Sequence, residues 1–445
     1  MQKKVQPRIL PGFMELLPQD QIVFNQMYDT IRRVYERFGF LPLDTPVIEF
    51  SDVLLAKAGG ETEKQIYRFQ KGDADLSLRF DLTVPLARYV AQRYNDLVFP
   101  FKRYQMSKVF RGERPQKGRF REFYQCDIDI IGNEKLDLYY DAEMPAVIYH
   151  VFKELNIGEF TIRLNNRKIL NGFFSQLGLS ERAGDILRVI DKLEKIGAQA
   201  VSEELLDLGV SESGIEQILN FVMLNGSNAE ILTQLQSLSA DVVFAEGVAE
   251  LQAVITALGQ FGIPEQNYKI DLTIARGLDY YTGTVYETML NDYPKLGSIC
   301  SGGRYDNLTG YYTDQHLPGI GISIGLTRLY FQLREAGILP SGGKKSLTQV
   351  LVVALDREQV PYALRVAGVL RDANIVTDIY FSDKGMKQKM KYADRSGIPY
   401  AAIIGTDEAA AGTVMLKNMQ TGQQQAIDID SIAQAVRESL IIRNS

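Results

Sequence analysis

The sequence predicts an α+β chain: a core on an antiparallel sheet, a helical block inserted into that core, and a separate α/β domain at the C-terminus. Three observations predict it. Residues 107–129, SKVFRGERPQKGRFREFYQCDID, place alternating apolar flanks around a turn that contains Pro and Gly, which is the pattern of an antiparallel hairpin. Residues 169–262 run at a helical period almost throughout, and strand signals return after them. Beyond residue 346, strand and helix alternate as in an α/β domain.

At 445 residues the chain has room for two or three domains, and 45% hydrophobic with 23% charged residues suits a water-soluble globular protein. Its two cysteines, Cys126 and Cys300, stand far apart. They support neither a disulfide framework nor a zinc site, and they imply a reducing, cytoplasmic setting. The opening MQKKVQPRILPG has no apolar core region, and no unbroken run of 18 apolar residues occurs. With only His150 and His316, histidine ligation of a metal has little material, and no metal is assigned to protein side chains. A net charge of −6 excludes an indiscriminate nucleic-acid coat but leaves room for a locally basic surface.

From Asp20 to Phe38, the residues Ile22, Val23, Met27, Ile31, Val34, Tyr35 and Phe38 keep a helical period, which Gly39 ends. FGFLPLDTPVIEF then reads as one strand, confined by Pro42 and Pro46 to an edge or an interface. Residues 75–90, DLSLRFDLTVPLARYV, pass from strand into helix. Asp81 and Thr83 stand at the join, where they suit an ammonium ligand or a helix cap equally.

The hairpin follows. Phe101–Gln125 holds eight Lys or Arg against two Glu, a local net of +6. Arg111, Arg114, Arg119 and Arg121 offer planar forks that match phosphate oxygens two at a time, so phosphate is the natural ligand. The reading puts Tyr104, Met106, Lys108 and Phe110 on the incoming strand and Phe120–Ile131 on the outgoing one. Arg111 and Glu113 would then face Gln125, Asp127 and Asp129.

Asn133–Leu155 reads as an amphipathic helix that Pro145 should kink or break, and FTIRLNNRK as strand and turn. After the helical block come YKIDLTIARGLDYYTGTVYETML, SICSGGRYDNL and PGIGISIGLTRLYFQL, each with strand signals. PSGGKK has the composition of a linker. In the last domain KGMKQKMKYADR sets Lys384, Lys387, Lys389, Lys391 and Arg395 against one Asp, either a phosphate track or a solvated helix face.

Together these segments resemble the class II aminoacyl-tRNA synthetases, in the histidyl form. The helix, Gly39, strand and Pro46 resemble motif 1, and FRGERPQKGRFREF resembles motif 2. LRFDLT, RGLDYY and SGGRYD resemble further family segments, and the strand and helix through Gly325, Leu326 and Arg328 resemble motif 3, with Thr327 where the family usually carries an acid. The matches occupy residues 35–50, 76–90, 107–132, 272–287, 300–308 and 318–330, in family order.

That resemblance implies a catalytic core at 1–168 and 263–337, a helical insertion at 169–262, a linker at 338–347 and an anticodon-binding domain at 348–445. It implies a homodimer, built on motif 1, that activates histidine with ATP and Mg²⁺ and transfers it to tRNA(His), away from any membrane. Arg111 and Arg276 would act in catalysis. Histidine would be held by Asp81, Leu82, Thr83, Arg111, Gln125, Asp129, Arg276, Tyr280 and Tyr281. ATP would be held by Arg111, Glu113, Arg119, Phe123 and Arg328, with Gln116 and Arg121 at the tRNA acceptor end. The rival reading is a non-catalytic, histidine-sensing regulatory subunit of ATP phosphoribosyltransferase, a class that usually lacks the last domain and the arginines.

Overall fold

The computed structural model describes residues 4–56, 61–114, 118–238, 241–274, 281–339 and 345–444. The chain divides into two compact units, Met1–Met14 with Met27–Leu339, and Glu15–Gln26 with Pro340–Ser445. In chain order the first unit contributes β1 (Leu41–Pro42), β2 (Ile48–Phe50), β3 (Arg68–Lys71), β4 (Ala74–Leu78), β5 (Phe101–Phe110) and β6 (Glu122–Ile131). There follow β7 (Phe160–Asn166), β8 (Tyr268–Ile270), β9 (Thr284–Leu290), β10 (Cys300–Tyr305) and β11 (Gly319–Ile324).

Eight of these make one sheet in the order β1-β5-β6-β11-β10-β9-β7-β8, antiparallel at its six central strands and parallel only where β1 and β8 join its edges. The strands β2, β4 and β3 form a small antiparallel sheet beside it in sequence. Alternation along β5 and β6 decides which face of the large sheet becomes core. Tyr104 and Met106 lie opposite Ile128 and Cys126, all buried, and the Tyr35 hydroxyl of the N-terminal helix donates to the Cys126 carbonyl at 2.9 Å. The other face presents Arg103, Gln105 and Ser107 opposite Asp129, Asp127 and Gln125. This corrects the expected pairing. The ladder ends at Phe110 and Glu122, so Arg111 and Glu113 belong to the connection and do not face those three residues.

FGFLPLDTPVIEF is likewise not one strand. It splits into β1 and β2, in different sheets. The buried Arg79 holds the break, donating to the carbonyls of Thr45 at 2.5 Å and Lys108 at 2.8 Å, while Asp44 Oδ1 accepts from Gln105 and Ser107.

Pro145 does not break its helix, which runs from Tyr139 to Leu155. A proline cannot supply the N–H that the carbonyl four residues earlier expects. Here that carbonyl, of Asp141, accepts the buried Tyr286 hydroxyl at 2.6 Å instead. The helical block begins at once after β7, where a turn was expected, because Asn166 caps the helix Arg167–Gln176 by accepting from the Lys168 N–H. Its last helix, Val242–Gln260, is by length and composition alone apolar enough to cross a membrane. Phe244, Val248, Leu251, Val254 and Leu258 are buried nonetheless, against the helices Tyr139–Leu155 and Arg167–Gln176.

The second unit adds β12 (Val350–Ala354), β13 (Thr377–Ile379), β14 (Tyr400–Ile404), β15 (Thr413–Asn418) and β16 (Gln424–Asp428), in the order β13-β12-β14-β15-β16. Its core joins Val350, Val352 and Ala402 to Ala363, Val366 and Leu370 of the helix Val360–Asp372. The polar strand β16 gave no apolar alternation to read. In the helix Met386–Arg395, Lys389 leaves the expected cationic track. It is 3% exposed and donates to the carbonyls of Ala354 at 2.6 Å and Leu355 at 3.3 Å, at the end of β12. Lys384, Lys387, Lys391 and Arg395 are exposed.

Candidate active site

The polar face of the large sheet floors a cavity of about 610 Å³. Of the residues expected there, Asp81, Thr83, Arg111, Glu113, Arg119, Phe123, Gln125, Asp129, Tyr281 and Arg328 line it. Leu82 is buried beside it, and its carbonyl accepts from Arg103 at 3.3 Å. Arg121 turns away, donating from Nε to the Glu113 carbonyl at 3.0 Å and from Nη1 to the Pro11 carbonyl at 3.4 Å. Arg276, Tyr280 and Gln116 lie outside the described residues.

Charge is divided within the cavity. Arg119 and Arg328 are exposed, and Arg111 is half-buried, with its guanidinium 4.3 Å from the Phe80 ring and 5.1 Å from the Phe123 ring. Arg111 Nε donates to the Phe80 carbonyl at 3.2 Å, which fixes the fork at the strand end. Arg119 pairs with Glu113 at 3.4 Å, and Arg328 Nη2 donates to the Leu296 carbonyl at 3.2 Å.

The floor is acidic. Asp127 and Asp129 are 3% exposed, and burial pushes both carboxyls up; Asp127 reaches about 7. Burial also raises Asp81, against the Val84 N–H that its Oδ1 accepts at 2.9 Å. Asp81 is thus a helix cap that also faces the cavity. Asp129 Oδ2 pairs with the fully buried Arg103 at 2.5 Å, and its Oδ1 accepts from the Tyr305 hydroxyl at 2.7 Å.

Sequence reasoning missed Arg103, Asp127, Tyr305 and Ser323. The signal for the first two was the polar alternation on β5 and β6; Tyr305 lies in the SGGRYD segment, where no residue had been given a place. Ser323 joins Gln125 Nε2, which donates to its hydroxyl at 2.7 Å. Thr327, the departure in motif 3, accepts the Tyr124 N–H at 2.8 Å, just beyond the last β6–β11 pair.

Glycines let the strands carry this floor. A Cβ on Gly302 would strike the Gly321 carbonyl, one on Gly321 the Asp129 carboxyl, and one on Gly319 the Tyr305 ring. Cys126 and Cys300 are free and buried, and burial pushes both thiols well above their ordinary value, so neither is poised as a nucleophile.

Residues 12–329 match the family model described as histidyl-tRNA synthetase, and residues 349–439 match an anticodon binding domain. A histidine–tRNA ligase of Clostridium tetani is 57% identical over 98% of this chain and 99% of its own length. One from Stenotrophomonas maltophilia is 49% identical over 98% of each. The crystal structure of histidyl-tRNA synthetase from Nostoc sp. PCC 7120 superposes with a TM-score of 0.90 at 44% identity, covering 98% of this chain and all of that one. With ten of the expected residues lining one cavity and the relatives matching over both units, the chain belongs to the histidyl-tRNA synthetase family.

Proposed function

We propose that the chain is a histidine–tRNA ligase, working through the cavity on the large sheet. Histidine and ATP give histidyl-adenylate and pyrophosphate, and the histidyl group then passes to the 3′ end of tRNA(His). The observation that carries the reading is the division of charge, with arginines towards the mouth and buried carboxylates on the floor. A substrate pair of polyphosphate and amino-acid ammonium needs such a division. In-line attack by a carboxylate on the α-phosphate requires positioning and charge stabilisation, not a covalent intermediate with the protein.

Arg111, with Arg276, would steady the α-phosphate and the histidine carboxylate. Arg119 and Arg328 would take the outer phosphates, Phe123 would stack on adenine, and Glu113 would accept from its amino group. Asp81, Thr83 and Gln125 would receive the ammonium, next to Leu82. Asp129, Tyr280 and Tyr281 would read the imidazole, and Gln116 and Arg121 would meet the acceptor stem. A hydrogen-bonding pocket of this kind rejects an apolar competitor by roughly 10⁴ to 10⁵. Mg²⁺ would arrive with ATP, held chiefly by phosphate oxygens, and Glu287 is a cavity-lining carboxylate that suits such an ion.

The full-length relatives favour this reading over the histidine-sensing regulatory subunit. A bacterial protein described as such a subunit or a histidyl-tRNA synthetase, from Bacillus halodurans, is similar in fold at a TM-score of 0.76 and 21% identity. The domain reading is core at 1–168 and 263–337, insertion at 169–262, linker at 338–347 and anticodon binding at 348–445. A cytoplasmic homodimer completes the proposal; exposed Leu41, Val47, Ile48 and Phe50 of the motif 1 segment support a subunit contact there. Exchange of labelled pyrophosphate into ATP, run with each of the twenty amino acids, tests the activity. Exchange with histidine alone is expected, and its absence would favour the sensor.

A further inference from the structure

Two acceptors on the cavity floor are left over once the described hydrogen bonds are assigned. Gln125 spends its amide N–H on Ser323, and the Ser323 hydroxyl bonds in turn to Asp127. Gln125 Oε1 and Asp127 Oδ1 remain without a partner among the described residues, on side chains 8% and 3% exposed. Buried acceptors of this kind are costly unless a donor arrives.

The surroundings specify the donor's charge. Asp127 lies opposite Gln105 on β5 and Ser323 on β11. The charged groups acting on it are Arg103 from β5, which favours its ionised form, and Asp129 and Asp81, which oppose it. Arg79 lies close enough to interact, and the buried thiols of Cys126 and Cys300 and the Tyr35 hydroxyl are the other titratable neighbours. Arg103 is the guanidinium common to all three carboxyls, and Asp129 already engages it; Arg79 also acts on Asp127, and Arg111 on Asp81. A ligand with N–H donors and a positive charge would meet both open acceptors and add a cation beside Asp127.

We propose that Asp127 is a further amino-acid-binding residue, that the α-ammonium of histidine docks between Asp127 Oδ1 and Gln125 Oε1, and that docking expels a proton from the floor. The proposal rests on the reading of this cavity as the histidine site. In the balanced step, the neutral Asp127 carboxyl gives its proton to solvent as the ammonium enters, and carboxylate and ammonium remain as a pair. Burial holds Asp127 at about 7 without substrate, so near neutral pH a large share of molecules carry that proton. In the proposed function Asp81, Thr83 and Gln125 already receive the ammonium; Asp127 adds the charge that couples recognition to pH.

The test is calorimetric titration of the full-length protein with histidine, at matched pH in two buffers of different ionisation enthalpy. Near pH 7 the wild type is expected to release about half a proton per site beyond that released by Asp127→Asn, and the difference should fade by about pH 9. At pH 8 the Asp127→Asn protein should bind histidine roughly ten- to hundredfold more weakly, the loss expected for a charged hydrogen bond. 3-(Imidazol-4-yl)propionate, which keeps the ring and carboxylate but lacks the amine, should bind both proteins equally. Ser323→Ala, which removes a hydrogen bond to the ionised form, should move the release to higher pH. ATP binding to each variant reports that it has folded. Equal proton release by wild type and Asp127→Asn overturns the proposal while leaving the site assignment intact. No histidine binding by the wild type overturns the site assignment itself.

Discussion

Arg103 and Asp129 are register partners across β5 and β6, and they form an ion pair in which the guanidinium is fully buried and the carboxylate nearly so. Tyr305 takes the other carboxylate oxygen. Removing one partner of a buried pair strands the other, which typically costs about 3–5 kcal/mol, whereas replacing both with apolar groups is often neutral. Asp129→Ala should therefore lose that much in denaturant unfolding and also lose histidine-dependent pyrophosphate exchange. The double variant Arg103→Met/Asp129→Leu should regain most of the stability and none of the exchange. Exchange by the double variant with unchanged histidine affinity would remove Asp129 from the imidazole site.

Asp127 makes the floor pH-sensitive in the direction opposite to a carboxylate held by a surface ion pair. Its folded-state value is raised above the ordinary one, so it favours folding below about pH 4 and that contribution is lost as pH rises through about 7. Asp127→Asn should thus stabilise the ligand-free protein at pH 8.5, by at most roughly 4 kcal/mol, with the gain shrinking at pH 5.5. Melting curves across that range check it. A variant less stable than wild type at pH 8.5 would contradict the assignment.

Tyr286 and Pro145 should be coupled. Tyr286→Phe leaves the Asp141 carbonyl unmet and is expected to cost about 1–3 kcal/mol. Pro145→Ala restores a helical N–H, so in the Tyr286→Phe background it should recover part of that loss. A double-mutant cycle in urea with no interaction energy would refute the link.

Much of this was readable in advance, and the failures share a cause. The hairpin, the strand-to-helix segments and the last domain follow from local periodicity and turn chemistry. The break expected at Pro145 does not occur, because its compensating hydroxyl comes from a residue 141 positions along the chain. Lys389 was misread because its position on the helix, not its charge, decides that it turns inward. The register of β5 on β6 was misread because Arg111–Arg121 forms a longer connection than its Pro and Gly suggested. The expected site residues came from motif resemblance and ten of them line the cavity, yet Arg103 and Tyr305, which hold Asp129 in place, belong to strands whose spatial order no motif states.

The lysines of the second unit should separate into two classes. Lys389→Met removes the donor to two carbonyls and is expected to lower stability by about 1–3 kcal/mol. Lys387→Ala with Lys391→Ala should leave the melting temperature within about a degree and weaken tRNA charging, with adenylate formation unchanged. Unaltered charging by the second pair would make that helix face a solvated one.

The glycines of β10 and β11 bear on how the site can be inhibited. A molecule resting on Gly302 and Gly321 leans on main chain, and there is no side chain beneath it to shorten. Escape by substitution would have to add atoms, and a Cβ at either drives into a neighbouring carbonyl or into Asp129. Resistance to such a compound would therefore be expected to arise at the arginine-lined mouth of the cavity, away from its floor.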